Sequence, residues 1–250
     1  MKDERIGEQR INIQGIPMCI TAYRNSRDIE VQFCDGFDVK HTEYRKFLKG
    51  NIYNDNVPSY LGVGYLGEGE YKSRINNVKT DAYIKWGSML TRCYSDNFIG
   101  KTNYFDCFVC NEWKNFQNFA KWYYDNIYDL DGEDIELDKE IKYKGCRYYS
   151  PQTCLLVPHK INTIICNRAN HRGQCAIGVV INKNSGKYIA NCNSDNKRVY
   201  LGTYNTEKDA FLAYKRFKEV EIKRVAELYR GIIPDEIIEY IKKYEVSESD

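Results

Sequence analysis

Over residues 16 to 52 apolar and polar positions alternate in short runs. "MCITAYR", "DIEVQF" and "DVKH" each have the period-two pattern of a half-buried strand, and "NS" and "DG" between them are turn formers. "TEYRKFL" changes to helical spacing and stops at Gly50. A small β-rich segment is therefore expected here. Residues 53 to 80 keep no period, and "GVGYLGEGEY" places glycines at 62, 64, 67 and 69. The spacing is not G-x-G-x-x-G ahead of a helix, and no Lys-Ser/Thr pair follows. This stretch reads as a flexible connector.

Helical spacing returns at "DAYIKWGSMLTRCY", residues 81 to 94, with Tyr83, Trp86, Leu90 and Cys93 on one face and Asp81 as the expected N-cap. "EWKNFQNFAKWYYDNI", residues 112 to 127, predicts a second helix with Trp113, Phe116, Ala120, Tyr123 and Ile127 inward. Both aromatic stripes read as core faces. Beyond residue 175 the pattern is that of strands again. "AIGVVIN", "KYIANCN" and "RVYLGTY" are three short strands, with "KNSG" and "SDNK" as turns. "TEKDAFLAYKRFKEVEIKRVAELY" follows as one long amphipathic helix, capped by Thr206 with Asp209 three residues on. Its buried face is expected at Ala210, Ala213, Tyr214, Phe217, Val225 and Leu228. "PDEIIEYIKKY" predicts a last helix opening at Pro234.

Composition narrows the class. The chain has 250 residues, an ordinary hydrophobic share of 42% and a formal net charge of +2. No apolar run is long enough to span a bilayer, and "MKDERIGEQR" has no apolar signal core behind it. Ten cysteines in such a chain point to reduced thiols in a cytoplasm. The near-neutral total hides an asymmetry. Residues 159 to 230 carry fourteen Lys and Arg against six acids, whereas residues 125 to 140 carry eight acids and one Lys. A basic C-terminal half favours a polyanionic partner, although solvated charged surface explains the same numbers.

Strand alternation sorts the C-terminal side chains. On the second strand Tyr188, Ala190 and Cys192 share one side, and Lys187, Ile189, Asn191 and Asn193 share the other. On the third, Val199 and Leu201 are expected toward the helix, with Arg198 and Tyr200 away from it. At "GVVINKNSGKYIANCN…KRVYLGTYNTEKDAFLAY" the chain resembles the DNA-binding domain of the ethylene-response-factor (APETALA) type. The resemblance covers about fifty residues and rests on Gly178-Val179, Lys187-Tyr188, "LGTYNT" at 201 to 206, and Ala210, Ala213 and Tyr214. It implies double-stranded DNA as partner, with contacts from Lys183, Lys187, Asn191, Asn193, Arg198 and Tyr200. Val180, Tyr188 and Tyr200 depart from the family's Arg and Trp, so base preference does not transfer.

Residues 60 to 165 resemble the HNH-type ββα module that phage and prophage homing endonucleases join to such a domain. "KWGSMLTRCY", "CFVCNEWKNFQNFAKWY", "LDKE" and "YSPQTCLLVPHKIN" follow in the order those proteins use. The resemblance implies a catalytic set of Asp138, Lys139, Glu140 and Thr153, with Asp138 as metal ligand and magnesium or manganese as the cofactor if the site is active. Such a nuclease needs a base for water and ligands for one divalent ion on the phosphate. Lys139 stands where the family has its histidine base, and Thr153 where it has an asparagine. Lysine is a poor base at neutral pH, and a threonine hydroxyl is a weak ligand. Glu140, Tyr149 or His159 are the substitutes at hand. Cys93, Cys107, Cys110, Cys146 and Cys154 lie in the same segment, but their irregular spacing has one C-x-x-C only, so zinc is not expected.

The expected fold is α+β in four segments. These are a small β-rich domain over 1–58, an HNH-like ββα module over 59–168, a three-stranded antiparallel sheet on one long helix over 169–232, and a helix with an acidic tail over 233–250. The expected function is DNA binding in the cytoplasm of a bacterial host, by a protein derived from a phage-type homing endonuclease whose cleavage is weak or lost. A non-enzymatic regulator or anti-defence protein and an active metal-dependent endonuclease are the alternatives.

Overall fold

The computed structural model describes residues 3–98, 104–165, 175–195 and 197–248. The chain is mixed α+β, with several small antiparallel sheets and seven helices among the described residues. It divides into two compact units, Met1–Asp125 and Asn126–Asp250.

In the first unit β1 (Gln9–Ile11), β2 (Pro17–Asn25), β3 (Asp28–Phe33) and β4 (Asp38–Thr42) form one antiparallel sheet in chain order. Met18 pairs with Phe33 and Ile20 with Val31, so the alternation seen in the sequence becomes one buried face. Phe47 of α1 (Tyr44–Leu48) covers that face. The turns form as expected: Asn25 Oδ1 accepts from the Arg27 amide, and Asp35 Oδ1 from that of Phe37. β1 was not signalled by the pattern, because all three of its residues are exposed.

β5 (Arg74–Ile75) and β6 (Val78–Lys79) form a hairpin on Asn76 and Asn77, whose φ values of 49° and 65° make a type I′ turn. α2 (Asp81–Tyr94) follows. Its N-cap is Thr80, whose hydroxyl accepts from the Tyr83 amide at 3.4 Å, and Asp81 lies in the first turn instead. After β7 (Phe108–Val109) the helix expected over 112–127 is broken at Asn115 into α3 (Asn111–Lys114) and α4 (Phe116–Asn126). Asn115 is extended at ψ 120°, and its Oδ1 takes the Gln117 amide at 2.9 Å. A short polar side chain has outcompeted the helix for a backbone donor. The glycine-rich connector is packed, not flexible. A Cβ on Gly64 would stand 2.5 Å from Leu90 and 2.8 Å from Trp86. Gln117 clamps Tyr71 from both sides, accepting its amide and donating to its carbonyl.

The second unit holds β8 (Ile135–Asp138), β9 (Tyr148–Tyr149), β10 (Leu155–Pro158) and α5 (His159–Ile165). β8 and β10 are antiparallel, with Asp138 opposite Leu155 and Ile135 opposite Pro158. The expected C-terminal sheet is present as β11 (Val179–Ile181), β12 (Tyr188–Ser194) and β13 (Lys197–Tyr204), in that order and antiparallel. α6 (Glu207–Glu227) lies on it, buried through Ala210, Phe211, Tyr214, Ile222 and Val225. Thr206 caps it as expected, accepting from the Asp209 amide and donating to its carboxylate. Leu228 is not on the buried face: it is the C-cap residue and 52% exposed. β11 is shorter than its sequence run because Gly178 leaves the strand at φ +75°, where a Cβ would stand 2.0 Å from the Tyr214 ring. α7 (Asp235–Lys242) adds Ile237, Ile238 and Ile241 to the same core.

Candidate nucleic-acid interface

β12 turns Ala190 and Cys192 into the core, at 0% and 3% exposure, and Asn191 and Asn193 to the opposite face. Asn191 stands opposite Tyr200 and Asn193 opposite Arg198, so these four side chains form one outward block. The register slips between Ala190 and Asn191, because Gly202 pairs with Ala190 and Tyr200 with Asn191. Leu201 is therefore the extra residue of a bulge, packs on the core, and reverses the phase of β13. Thr203, not Gly202, joins Tyr200 on the outer face, with 2.8 Å between their hydroxyls. The glycine inside a strand run was the sequence signal for this bulge.

Lys183 and Lys187 are displayed by the β11–β12 turn. Asn182 Oδ1 accepts from the amides of Asn184 and Ser185, and the Asn182 amide bonds the Lys187 carbonyl at 2.8 Å. The turn is thus held by its own hydrogen bonds and presents both lysines outward. Tyr200, opposite Asn191, is 63% exposed.

The charge balance of this face is one-sided. Residues 175 to 204 contain Lys183, Lys187, Lys197 and Arg198 and a single acid, Asp195. Asp195 is already bonded to Arg224 at 3.0 Å. Among the described residues, the side chains of Lys183, Lys187, Lys197 and Arg198 make no hydrogen bond or ion pair. Two cations of α6 are paired: Lys215 with Glu219, and Arg224 with the buried Glu221. Thr203 belongs to the face and was not singled out from sequence, whereas Lys197 stands opposite Ser194, whose hydroxyl bonds Glu221 of α6, and so lies on the helix side.

The candidate residues of the middle segment are spent on local structure. Asp138 ends β8, and its Oδ1 accepts from the amides of Glu140 and Ile141, each at 2.7 Å. Burial raises its pKa, against those two bonds, which lower it. Lys139 is buried at 4%, with its ammonium bonded to Glu140 and 5.6 Å from the Tyr149 ring centroid. Thr153 donates to the Tyr148 carbonyl at 2.6 Å and closes a turn with Ser150. Among the described residues no hydrogen bond joins Thr153 to Asp138. His159 follows β10 at the end of the hairpin opposite Asp138, roughly 13 Å along the strand. There it faces Glu136 at 3.2 Å and Thr163 at 3.3 Å.

Asp138 Oδ1 is taken by two amides and Glu140 Oε1 by Lys139, which leaves one oxygen on each carboxylate. These residues do not form a multi-ligand metal centre. Among the described residues no group of three or more His, Cys, Asp or Glu is arranged to hold a metal. Burial pushes the Cys154 thiol up to about 12 and raises that of Cys110, which disfavours the thiolate. Compared with known proteins, the chain matches no family model, no curated protein and no solved structure.

Proposed function

We propose that this chain binds double-stranded DNA through the outer face of the β11–β13 sheet. The observation that carries this reading is the set of three cations there, Lys183, Lys187 and Arg198, that no carboxylate neutralises among the described residues, beside an acid, Asp195, that is engaged by Arg224. A two- or three-stranded sheet fits the major groove and sets alternate side chains at base edges. Arg198, Asn191 and Asn193 are the side chains for base edges. Lys183 and Lys187 meet phosphates. Tyr200 adds an aromatic surface.

Two further features support the lineage. The sheet-plus-helix order and "LGTYNT" agree with the ethylene-response-factor resemblance. The order β8, β10, α5 agrees with a strand–strand–helix nuclease module. With Asp138, Lys139, Glu140 and Thr153 bound up in the fold, the reading is of a phage-type DNA-binding protein derived from an HNH homing endonuclease, its cleavage weak or lost, acting in a bacterial cytoplasm.

The test is fluorescence anisotropy of the full chain with a random-sequence duplex and with a selected site, at two salt concentrations. Arg198→Ala is expected to cost about 1–3 kcal/mol and relax preference at one position, whereas Lys187→Ala flattens the salt slope by about one. Binding left unchanged by both substitutions would remove this face as the DNA reader.

A further inference from the structure

β11 is short, and this leaves an open edge. It pairs with β12 only from Tyr188 to Ala190, and the last such bond beyond it runs from the Asn191 amide to the Gly178 carbonyl at 2.9 Å. From there to Ser194, β12 has β13 on one side and, among the described residues, no strand on the other. Strand alternation turns the Asn193 amide the same way as that of Asn191, toward the open side. A groove runs along this edge, lined by Asn191, Asn193 and Arg198 from the sheet and by Tyr214 and Lys218 from α6.

Lys218 is the unusual member. It is half-buried, and its side chain makes no hydrogen bond or ion pair among the described residues. The nearby carboxylate, Glu221, is claimed by Arg224 at 2.6 Å and by Ser194 at 2.6 Å. Burial lowers the Lys218 pKa, and the pull of Cys192 and Glu221 offsets this only in part. A half-buried cation with no partner among the described residues costs stability, and a ligand that supplies acceptors would offset that cost. Every charged or amide group facing the groove is a donor or carries one. Such a lining selects an anion with several acceptor oxygens.

We infer that this groove is a phosphate site, with Lys218 as its cation and the Asn193 amide and Arg198 as its other donors. It rests on the DNA-binding reading, and it extends the contact from the outer face around the edge of β12. Its occupant is a backbone phosphate of the bound duplex.

The test uses the full chain, Lys218→Met and Lys218→Arg. Wild type is titrated with inorganic phosphate while the backbone amides are followed by NMR, and duplex affinity is measured against salt. The Asn193 amide is expected to shift with phosphate, and the shift to vanish in Lys218→Met and return in Lys218→Arg. Lys218→Met is expected to bind duplex roughly three- to tenfold more weakly, with a salt slope shallower by about 0.9. It is also expected to melt at a higher temperature, because an unpartnered charge has gone. A lysine that served only packing would give a lower melting temperature and unchanged DNA binding, which would overturn the inference. Phosphate binding through Lys218 with an unaltered DNA salt slope would overturn the duplex as occupant and leave a site for free phosphate. Wild type that binds phosphate there but no duplex would sink the DNA-binding reading itself.

Discussion

Glu221 shows how a single buried side chain organises the C-terminal unit. It is 6% exposed, accepts from Ser194 Oγ and takes both a Nε and a Nη2 bond from Arg224. The Arg224 guanidinium holds its pKa down to about 2, against an ordinary value of 4.5. A carboxylate depressed on folding contributes stability above its unfolded pKa and loses it as pH falls through the folded one. The window is therefore from about pH 4.5 down to about 2. The contribution is on the order of 3 kcal/mol, less what water screens at the half-exposed guanidinium. Denaturant melts across this window should show Glu221→Gln with a shallower pH dependence than wild type; an identical slope would mean that Arg224 does not couple to it. Asp138 makes the opposite case, since burial raises its pKa. Asp138→Asn keeps an oxygen for the Glu140 and Ile141 amides and removes a buried charge, so its melting temperature should hold or rise. Asp138→Ala strands both donors and should lose about 1–3 kcal/mol. Equal losses in both variants would show that the charge, not the acceptor, is what the fold uses. The Asn variant is thus the folded control for any cleavage assay with magnesium or manganese.

At the scale of elements, the seat of the sheet on α6 depends on two close approaches that side-chain pattern does not announce. Gly178 combines φ +75° with a Cβ position inside the Tyr214 ring, so Gly178→Ala meets both backbone strain and a clash. Thermal unfolding should show a loss on the order of 3 kcal/mol. A loss below about 1 kcal/mol would mean that Tyr214 moves aside freely. Elements that rest on local chemistry were legible in the sequence. The Thr206 cap, the inward Ala190 and Cys192, and the strands β2, β3, β12 and β13 follow from propensity and alternation alone. Elements decided by competition between neighbours were not. Thr80 displaced Asp81 as the cap of α2 because the β5–β6 hairpin delivers its hydroxyl, which also donates to the Lys72 carbonyl. Asn115 broke a run whose aromatic period was otherwise continuous. The glycines at 64, 67 and 69 read as slack because the residues they pack against, Trp86, Asn115 and Gln117, are distant in sequence. The bulge at Leu201 moved Thr203 onto the outer face, which strict alternation assigns to Gly202. The strands of the candidate face were thus legible in the sequence, but not every residue on it.

For the whole molecule, the contrast lies between two kinds of cation. Lys215 and Arg230 are paired with carboxylates within a turn, Glu219 and Glu227. Lys183, Lys187 and Arg198 of the β11–β13 face make no such pair among the described residues. A near-neutral net charge of +2 thus leaves this face locally unbalanced, as the DNA-binding reading requires. Photo-cross-linking locates that contact most directly. A photoreactive phenylalanine analogue replaces Tyr200, at the centre of the outer face, or Tyr53, which is 51% exposed in the first unit. Each variant is irradiated with labelled duplex at low salt. The DNA-binding reading predicts a cross-link from position 200 that unlabelled duplex competes away and that raised salt abolishes, and none above background from position 53. A cross-link from position 53 alone, or bound duplex that never couples to position 200, would contradict it.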